Sequence, residues 1–295
     1  QELCCPTSYS PEDMQHIPQE ILERFYGCGS PLALAGLSPG ETVLDLGSGA
    51  GMDCFLAAKK VGPNGRVIGL DMTDTMLQVS RGYKGRVSEN LGYDVVSFIK
   101  GFLEEIPLRP GSVDLVVSNC VINLSMDKRK VFSEIWRVLK NQGRFVISDI
   151  VSERELPASF RSDKLLWGQC LSGALTEEAF LSYLEQAGFQ GIEILQRRFW
   201  KKLEGCDFFS ITLRSHKFQG SGQCSYNGQM AMYCGPFKAV MDEDGHLFPR
   251  GEAVEVCTDT AKRLQRPPYS RAFVISRTEQ SEGPSPNCHS QEKCC

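Results

Sequence analysis

At 295 residues the chain is long enough for one large domain with an appendage, and its formal net charge of −4 gives no electrostatic reason to bind nucleic acid or an anionic membrane. No run approaches the ~20 apolar residues of a membrane span, and the polar start Gln1-Glu2-Leu3 carries no export signal, so the expectation is a cytoplasmic protein without nucleic-acid or membrane partners. Thirteen cysteines, an odd number scattered along a large chain, lack the spacing of a secreted disulfide scaffold, and their thiols are expected to be reduced.

Residues 1–40 read as a leader with one helix, Pro18 to Tyr26, followed by Gly27-Cys28-Gly29. Glu41-Thr42-Val43-Leu44-Asp45-Leu46 is an apolar run suited to a buried parallel strand, and it enters Gly47-Ser48-Gly49-Ala50-Gly51 and then a helical pattern through Asp53, Phe55, Leu56 and Lys60. Glycines serve there because the turn demands unusual backbone angles and because a side chain would hold a ligand away from the amides at the helix start. Gly62-Pro63-Asn64-Gly65 turns the chain into a second strand, Arg66 to Asp71, and Asp71 ends it where a carboxylate accepts hydrogen bonds from ribose hydroxyls in a βαβ unit. The order strand, glycine loop, helix, acid points to a nucleotide-type cofactor. The loop is not the Gly-x-Gly-x-x-Gly that seats a pyrophosphate, and no Gly-Lys-Ser/Thr occurs, so phosphate is not the group expected in it.

This layout resembles class I S-adenosylmethionine (AdoMet) methyltransferases, in which the loop receives the methionine part of the cofactor and the acid holds the ribose. Val95 to Lys100 reads as the third strand, followed by Gly101-Phe102-Leu103-Glu104, where such enzymes contact adenine. Ser112 to Asn119 reads as the fourth strand, Phe132 to Lys140 as a helix with Ile135, Trp136 and Leu139 as its core stripe, and Arg144 to Asp149 as the fifth strand. The expected fold is α/β, a Rossmann-like class I methyltransferase doubly wound sheet with an N-terminal leader and a small C-terminal β-rich domain, its ligand crevice at the carboxyl ends of the strands. The expected domains are the leader 1–40, a methyltransferase domain 41–215, a β-rich domain 223–278, and a tail 279–295 whose Ser, Gly and Pro content will not fold alone.

Three cysteine segments narrow the resemblance. Tyr26-Gly27-Cys28-Gly29, Asp71-Met72-Thr73, Ser118-Asn119-Cys120-Val121-Ile122-Asn123-Leu124 and Leu166-Trp167-Gly168-Gln169-Cys170-Leu171 are similar to the arsenite methyltransferase family over residues 4 to 275, and at the opening of the last strand Glu204-Gly205-Cys206 stands where members commonly carry Gly-Asp-Cys. Gln169 stands where members commonly carry Glu, and Met52-Asp53 where they commonly carry Arg-Asp. The resemblance implies AdoMet contacts from Tyr26, Gly47, Ser48, Gly49, Asp71, Met72, Leu103 and Asn119. It implies Cys28, Cys170 and Cys206 as three ligands of trivalent arsenic, a soft centre suited to thiolate sulfur. By position alone each of these thiols reads better as a small buried hydrophobe than as a ligand. Cys4 and Cys5 are the expected redox relay, able to form a disulfide with Cys28, and thioredoxin or glutathione the external reductant. The substrates implied are arsenite, its thiol conjugates and methylarsenite, and the enzyme is expected to be a monomer.

Cys120 and Cys54 are expected to pack in the core, and Cys224, Cys234 and Cys257 to pack or to do nothing special. Cys288, Cys294 and Cys295 sit in the tail and are read as inert for turnover. Asp242-Glu243-Asp244-Gly245-His246 lacks the distal ligands of a calcium loop and reads as a solvated hairpin turn. Two other functions fit the same glycine loop: methylation of an organic small molecule with structural cysteines, or sequestration of metalloid beside a degenerate cofactor site.

Overall fold

The computed structural model describes residues 9–24, 27–157, 160, 163–222 and 224–277. The chain divides into two compact units, residues 1–217 and 218–295. The first unit is built on a seven-stranded sheet of β1 (Thr42–Leu46), β2 (Arg66–Asp71), β3 (Val96–Lys100), β4 (Val113–Asn119), β5 (Leu139–Ser152), β6 (Phe189–Leu203) and β7 (Cys206–Lys217), in the order β3-β2-β1-β4-β5-β7-β6. β1 to β5 run parallel, and β7 pairs antiparallel with both β5 and β6.

Side chains of a strand alternate between faces, and the core divides accordingly. Val43, Val67, Leu115 and Val146 pack on one face with Phe55, Leu56 and Val61 of the helix Met52–Val61. Their neighbours Leu44, Ile68, Val116 and Ile147 pack on the other with Phe132 and Ile135 of the helix Lys128–Val138 and with Phe180 and Leu184 of Glu177–Gln186. Cover on both faces is why β1 and β4 read as unbroken apolar runs. The helices begin where side chains satisfy their first amides: Asp127 accepts from Lys130 N, and Thr176 accepts from Ala179 N ahead of the acidic pair Glu177 and Glu178. The chain order reverses between β1 and β4, and the crevice beyond the carboxyl ends of those strands is the ligand position of an open α/β sheet.

Two details differ from the sequence reading. β6 was not foreseen. Its stretch Gln196-Arg197-Arg198-Phe199-Trp200-Lys201-Lys202 carries the charge of an edge strand, which blunts pairing with other chains and hides the apolar alternation. Among the described residues the leader holds three single-turn helices, Pro11–Met14, Gln19–Leu22 and Pro31–Leu34, where one from Pro18 to Tyr26 was expected. Pro18 caps the second of these, and the helix ends at Leu22, short of the glycines of Gly27-Cys28-Gly29.

In the second unit β8 (Gln229–Tyr233) lies between β11 (Ala253–Glu255) and β12 (Phe273–Arg277), and β9 (Ala239–Met241) forms a hairpin with β10 (Leu247–Pro249). Ala231, Tyr233, Phe248, Val256 and Leu264 make its core. The hairpin turn at Asp242–His246 is exposed at Glu243, Asp244 and Gly245, as expected, while the Asp242 side chain is buried. The buried Arg263 guanidinium bridges Asp242 at 2.7 Å and Asp244 at 2.5 Å, and His246 Nδ1 lies 2.9 Å from Asp242. The acids there answer a buried cation. Reduced thiols throughout was also an incorrect expectation: Cys224 and Cys257 are joined in a disulfide, as are Cys28 and Cys120.

Candidate active site

The glycine loop leaves β1 with both of its first amides, Gly47 N and Ser48 N, donating to Leu70 O at 2.8 and 2.9 Å, which ties it to the end of β2. Gly47 has φ +70°, and a Cβ there would lie 2.4 Å from Val121 Cγ2, so only glycine permits both the turn and the close approach of the segment after β4. Asp71 ends β2 and closes the loop from the other side: Oδ2 accepts from Gly49 N at 2.9 Å and Oδ1 from Thr73 N at 2.8 Å. The Thr73 hydroxyl also donates to Oδ1, and since a carboxylate offers about four acceptor positions these three bonds leave room on Oδ2 for a ligand's hydroxyl.

Around this loop lies a cavity of about 270 Å³. Gly47, Ser48, Gly49, Asp71, Met72, Leu103 and Asn119 line it, joined by Asp45, Asp53, Phe102 and Cys120. Tyr26, Cys4 and Cys5 lie outside the described residues. AdoMet suits this chamber. The Ser48 hydroxyl is buried without a hydrogen-bond partner among the described residues, Asp71 presents a spare acceptor, and Leu103 and Met72 offer apolar surface for a base.

Under the loop sits a buried carboxyl pair. Tyr9 OH donates to Asp53 Oδ1 at 2.7 Å, and Cys54 Sγ donates to Asp45 Oδ2 at 3.3 Å. Burial pushes both carboxyls above the usual range, and the Asp53 charge lifts Asp45 further. Burial likewise raises the Tyr9 phenol and the Cys54 thiol, which keeps both as donors. Cys54 is core-facing, as its place in the first helix implied.

Asn119 connects the cavity to the thiols. Its Oδ1 accepts from Cys28 N at 3.1 Å, and its Nδ2 donates to Gly29 O at 2.9 Å and faces Asp53 Oδ2 at 3.4 Å. Ser210 Oγ donates to Cys28 O at 2.6 Å. The Gly-Cys-Gly segment is thus laid across the sheet end, and its glycines are demanded by space. A Cβ at residue 27 would meet Asn119 Nδ2 at 2.6 Å, and one at residue 29 would meet Ser148 Oγ at 2.5 Å.

Cys28, Cys206, Ile150, Leu171 and Phe208 share one buried cluster, with Cys120 packed against it. Cys206 opens β7 directly after Glu204 and Gly205, whose φ of +47° and +74° make the two-residue hairpin turn that joins β6 to β7. Cys170 is held by its backbone, with its O accepting from Asn123 Nδ2 at 3.0 Å and its N donating to Trp167 O at 2.9 Å, while its Sγ donates to Cys120 O at 2.8 Å. Burial, and secondarily the Asp149 charge, push the Cys170 thiol up to about 12. Gln169 accepts from Lys201 Nζ at 3.1 Å.

The expected sulfur trio does not close in this state: Cys28, Cys170 and Cys206 do not all bring their sulfurs within 4.8 Å of one another. Cys28 is bonded to Cys120 instead, so Cys120 packs against the cluster as expected and also carries a bond that was not expected. Cys120 has φ +57°, a left-handed turn after β4 that carries its sulfur to Cys28 rather than into the core. Asp149, also missed, lies within 4.8 Å of both sulfurs and accepts from Ile122 N at 3.1 Å and Asn123 N at 3.3 Å. Burial raises its carboxyl to about 7 against the pull of these amides. Its signal was present, an acid at the end of the expected fifth strand, although β5 runs on to Ser152.

Sheet order, glycine loop, acid-ended β2 and the chamber between them define a class I AdoMet-dependent methyltransferase. A family described as a methyltransferase domain matches residues 37–188, and a domain of unknown function (DUF8838) matches residues 220–295. The chain is 36% identical to the arsenite methyltransferase of Homo sapiens, over 90% of this chain and 74% of that protein, and 36% identical to that of Aquipseudomonas alcaligenes, over 92% and 83%. The crystal structure of the arsenic(III) S-adenosylmethionine methyltransferase of Chlamydomonas reinhardtii matches with a TM-score of 0.70 and 35% identity, covering 93% of this chain and 97% of that one. The chain belongs to the arsenite methyltransferase family.

Proposed function

We propose that this methyltransferase transfers methyl groups to trivalent arsenic held by the thiols of Cys170 and Cys206 and, once its disulfide is reduced, Cys28. The observation that carries this reading is one buried cluster holding Cys28 and Cys206, with Cys120 packed against it, lining the cofactor chamber and accepting the Cys170 thiol's hydrogen bond. The names of the relatives support the same substrate.

The chemistry suits buried thiols. Arsenous acid condenses with three of them, each thiol proton leaving with one arsenic hydroxyl as water, so a thiol kept protonated by burial is the right reactant. AdoMet, when bound, supplies an electrophilic methyl on sulfonium. The arsenic lone pair needs no general base because no proton leaves it, and the work of these residues is proximity and orientation, worth up to ~7–11 kcal/mol in favourable cases. Asp71 and the glycine loop hold the cofactor end of that geometry; Asn119 locks the Cys28 backbone to the chamber wall. Methylation formally oxidises arsenic, so thiols must restore the trivalent state, with thioredoxin or glutathione as the final source of electrons.

The test is one incubation of purified protein with labelled AdoMet, arsenite and a dithiol, with products separated by chromatography. Wild type is expected to yield methylated arsenicals, whereas Cys206→Ser keeps its AdoMet affinity and loses at least about tenfold in rate. Label transferred only to an organic acceptor would replace the substrate, and arsenic binding without AdoMet binding would make the protein a sequestering one.

A further inference from the structure

We propose that Arg24 holds the carboxylate at the methionine end of the cofactor, a role that rests on AdoMet as the chamber's ligand and is independent of the methyl acceptor. Arg24 lines the chamber, and among the described lining residues it is the one cation, facing four acids, Asp45, Asp53, Asp71 and Glu104. Each acid already has a donor: Cys54 Sγ for Asp45, Tyr9 OH for Asp53, the Gly49 and Thr73 amides for Asp71, and Ser125 Oγ for Glu104. The Arg24 guanidinium has neither a hydrogen bond nor an ion pair among the described residues.

The chemistry of the ligand calls for such a partner. At neutral pH the methionine end of AdoMet carries an ammonium and a carboxylate beside the sulfonium. A wall rich in acids suits the two cations and repels the anion. A guanidinium answers that anion well, because its planar fork donates two parallel hydrogen bonds to a carboxylate and stays charged at any working pH. Met52, which opens the glycine-loop helix on the same wall, supplies no competing charge.

The leader brings Arg24 to that wall by burying its neighbours. Ile17 and Ile21 belong to the core cluster that holds Phe55 and Leu56 of the helix Met52–Val61, and Arg24 N donates to Ile21 O at 3.0 Å. Tyr9, earlier in the leader, is pinned by its bond to Asp53. The backbone is thus fixed while Arg24 itself is exposed, so its long side chain reaches the chamber from the rim and keeps its charge in water. An ion pair so placed is screened, which puts its effect at the lower end for a charged hydrogen bond.

The experiment is calorimetric titration of the full-length protein, without arsenite, against AdoMet and against decarboxylated AdoMet, which lacks only this carboxylate. Arg24→Gln is expected to weaken AdoMet binding about tenfold and to leave the decarboxylated cofactor within about twofold of its wild-type affinity. Arg24→Lys keeps the charge without the fork and is expected to fall between Arg24→Gln and wild type for AdoMet alone. Equal weakening of both ligands by Arg24→Gln overturns the assignment, since it shows that Arg24 only holds the leader in place. Unchanged affinity for both overturns it too and gives the carboxylate to other groups of the wall. Wild type that binds neither cofactor overturns AdoMet as the ligand and the role of Arg24 with it.

Discussion

Asp71 does two jobs with one carboxylate: it accepts from Gly49 and Thr73 amides to set the loop, and it keeps acceptor capacity for the cofactor. A hydrogen bond to a charged group contributes about 1.5–3 kcal/mol, so Asp71→Asn is expected to weaken AdoMet binding about ten- to a hundredfold by calorimetric titration. Affinity within about twofold of wild type would remove Asp71 from ribose recognition. His216 on β7 makes a prediction about stability. Burial pushes its imidazole down to about 4, and the charges of Arg214 and Arg144 push the same way. Free histidine titrates near 6.5, so between about pH 6.5 and about pH 4 the unfolded chain takes a proton that the folded one refuses. Its contribution is therefore complete at neutral pH and is lost on acidification through that window. Between about pH 7 and about pH 5 the loss is about 2 kcal/mol, and His216→Gln is expected to show a correspondingly shallower fall in urea-unfolding free energy. Parallel curves for the two proteins would refute the assignment.

At the scale of elements, the loop that carries Cys170 is held by a close approach of two backbones. A Cβ at Gly173 would lie 1.9 Å from Asn123 O, in the segment after β4 whose side chain ties down Cys170 O and Ile150 O. Gly173→Ala is expected to cost at least about 1–3 kcal/mol of stability by thermal unfolding and to slow arsenic methylation more than it weakens AdoMet binding. An alanine variant as stable as wild type would mean that the loop relaxes freely. The parts of this architecture that were legible in sequence are those whose signal is local. Val43-Leu44-Asp45-Leu46 running into three glycines announces a buried strand, its turn and its helix, because cover on both faces forces a continuous apolar run. β6 escaped because an edge strand bearing Arg197, Arg198, Lys201 and Lys202 satisfies solvent rather than a core. The bond of Cys120 to Cys28 escaped for a different reason. Val121 and Ile122 beside it read as packing, and only a positive φ, which sequence does not display in a cysteine, turns its sulfur the other way. Arg263 holding Asp242 is the same kind of case, a pairing across 21 residues that buries one acid of an otherwise exposed turn.

For the whole molecule, redox state acts on both units by different physics. In the first unit the Cys28–Cys120 bond joins a cysteine of the cofactor chamber wall to the buried cluster that holds Cys206. In the second unit Cys224–Cys257 closes a loop 33 residues long, and Cys257 precedes the helix Thr258–Leu264, whose Ala261 and Leu264 belong to the core. A cross-link of that span restricts the unfolded chain by about 3–4 kcal/mol on the loop-entropy account, a large fraction of what a unit of this size has to spare. Cys224→Ala and Cys257→Ala are therefore expected to lower the thermal transition of the second unit, and by the same amount if the bond, rather than the packing of the buried Cys257, is what is lost. All described residues that line the cofactor chamber belong to the first unit, so AdoMet affinity is expected to stay within about twofold of wild type in both variants. Calorimetry of the two variants beside AdoMet titration separates the contributions. Unequal losses would assign the excess to the Cys257 side chain, and a fall in AdoMet affinity matching the fall in stability would show that the second disulfide also serves the reaction chamber.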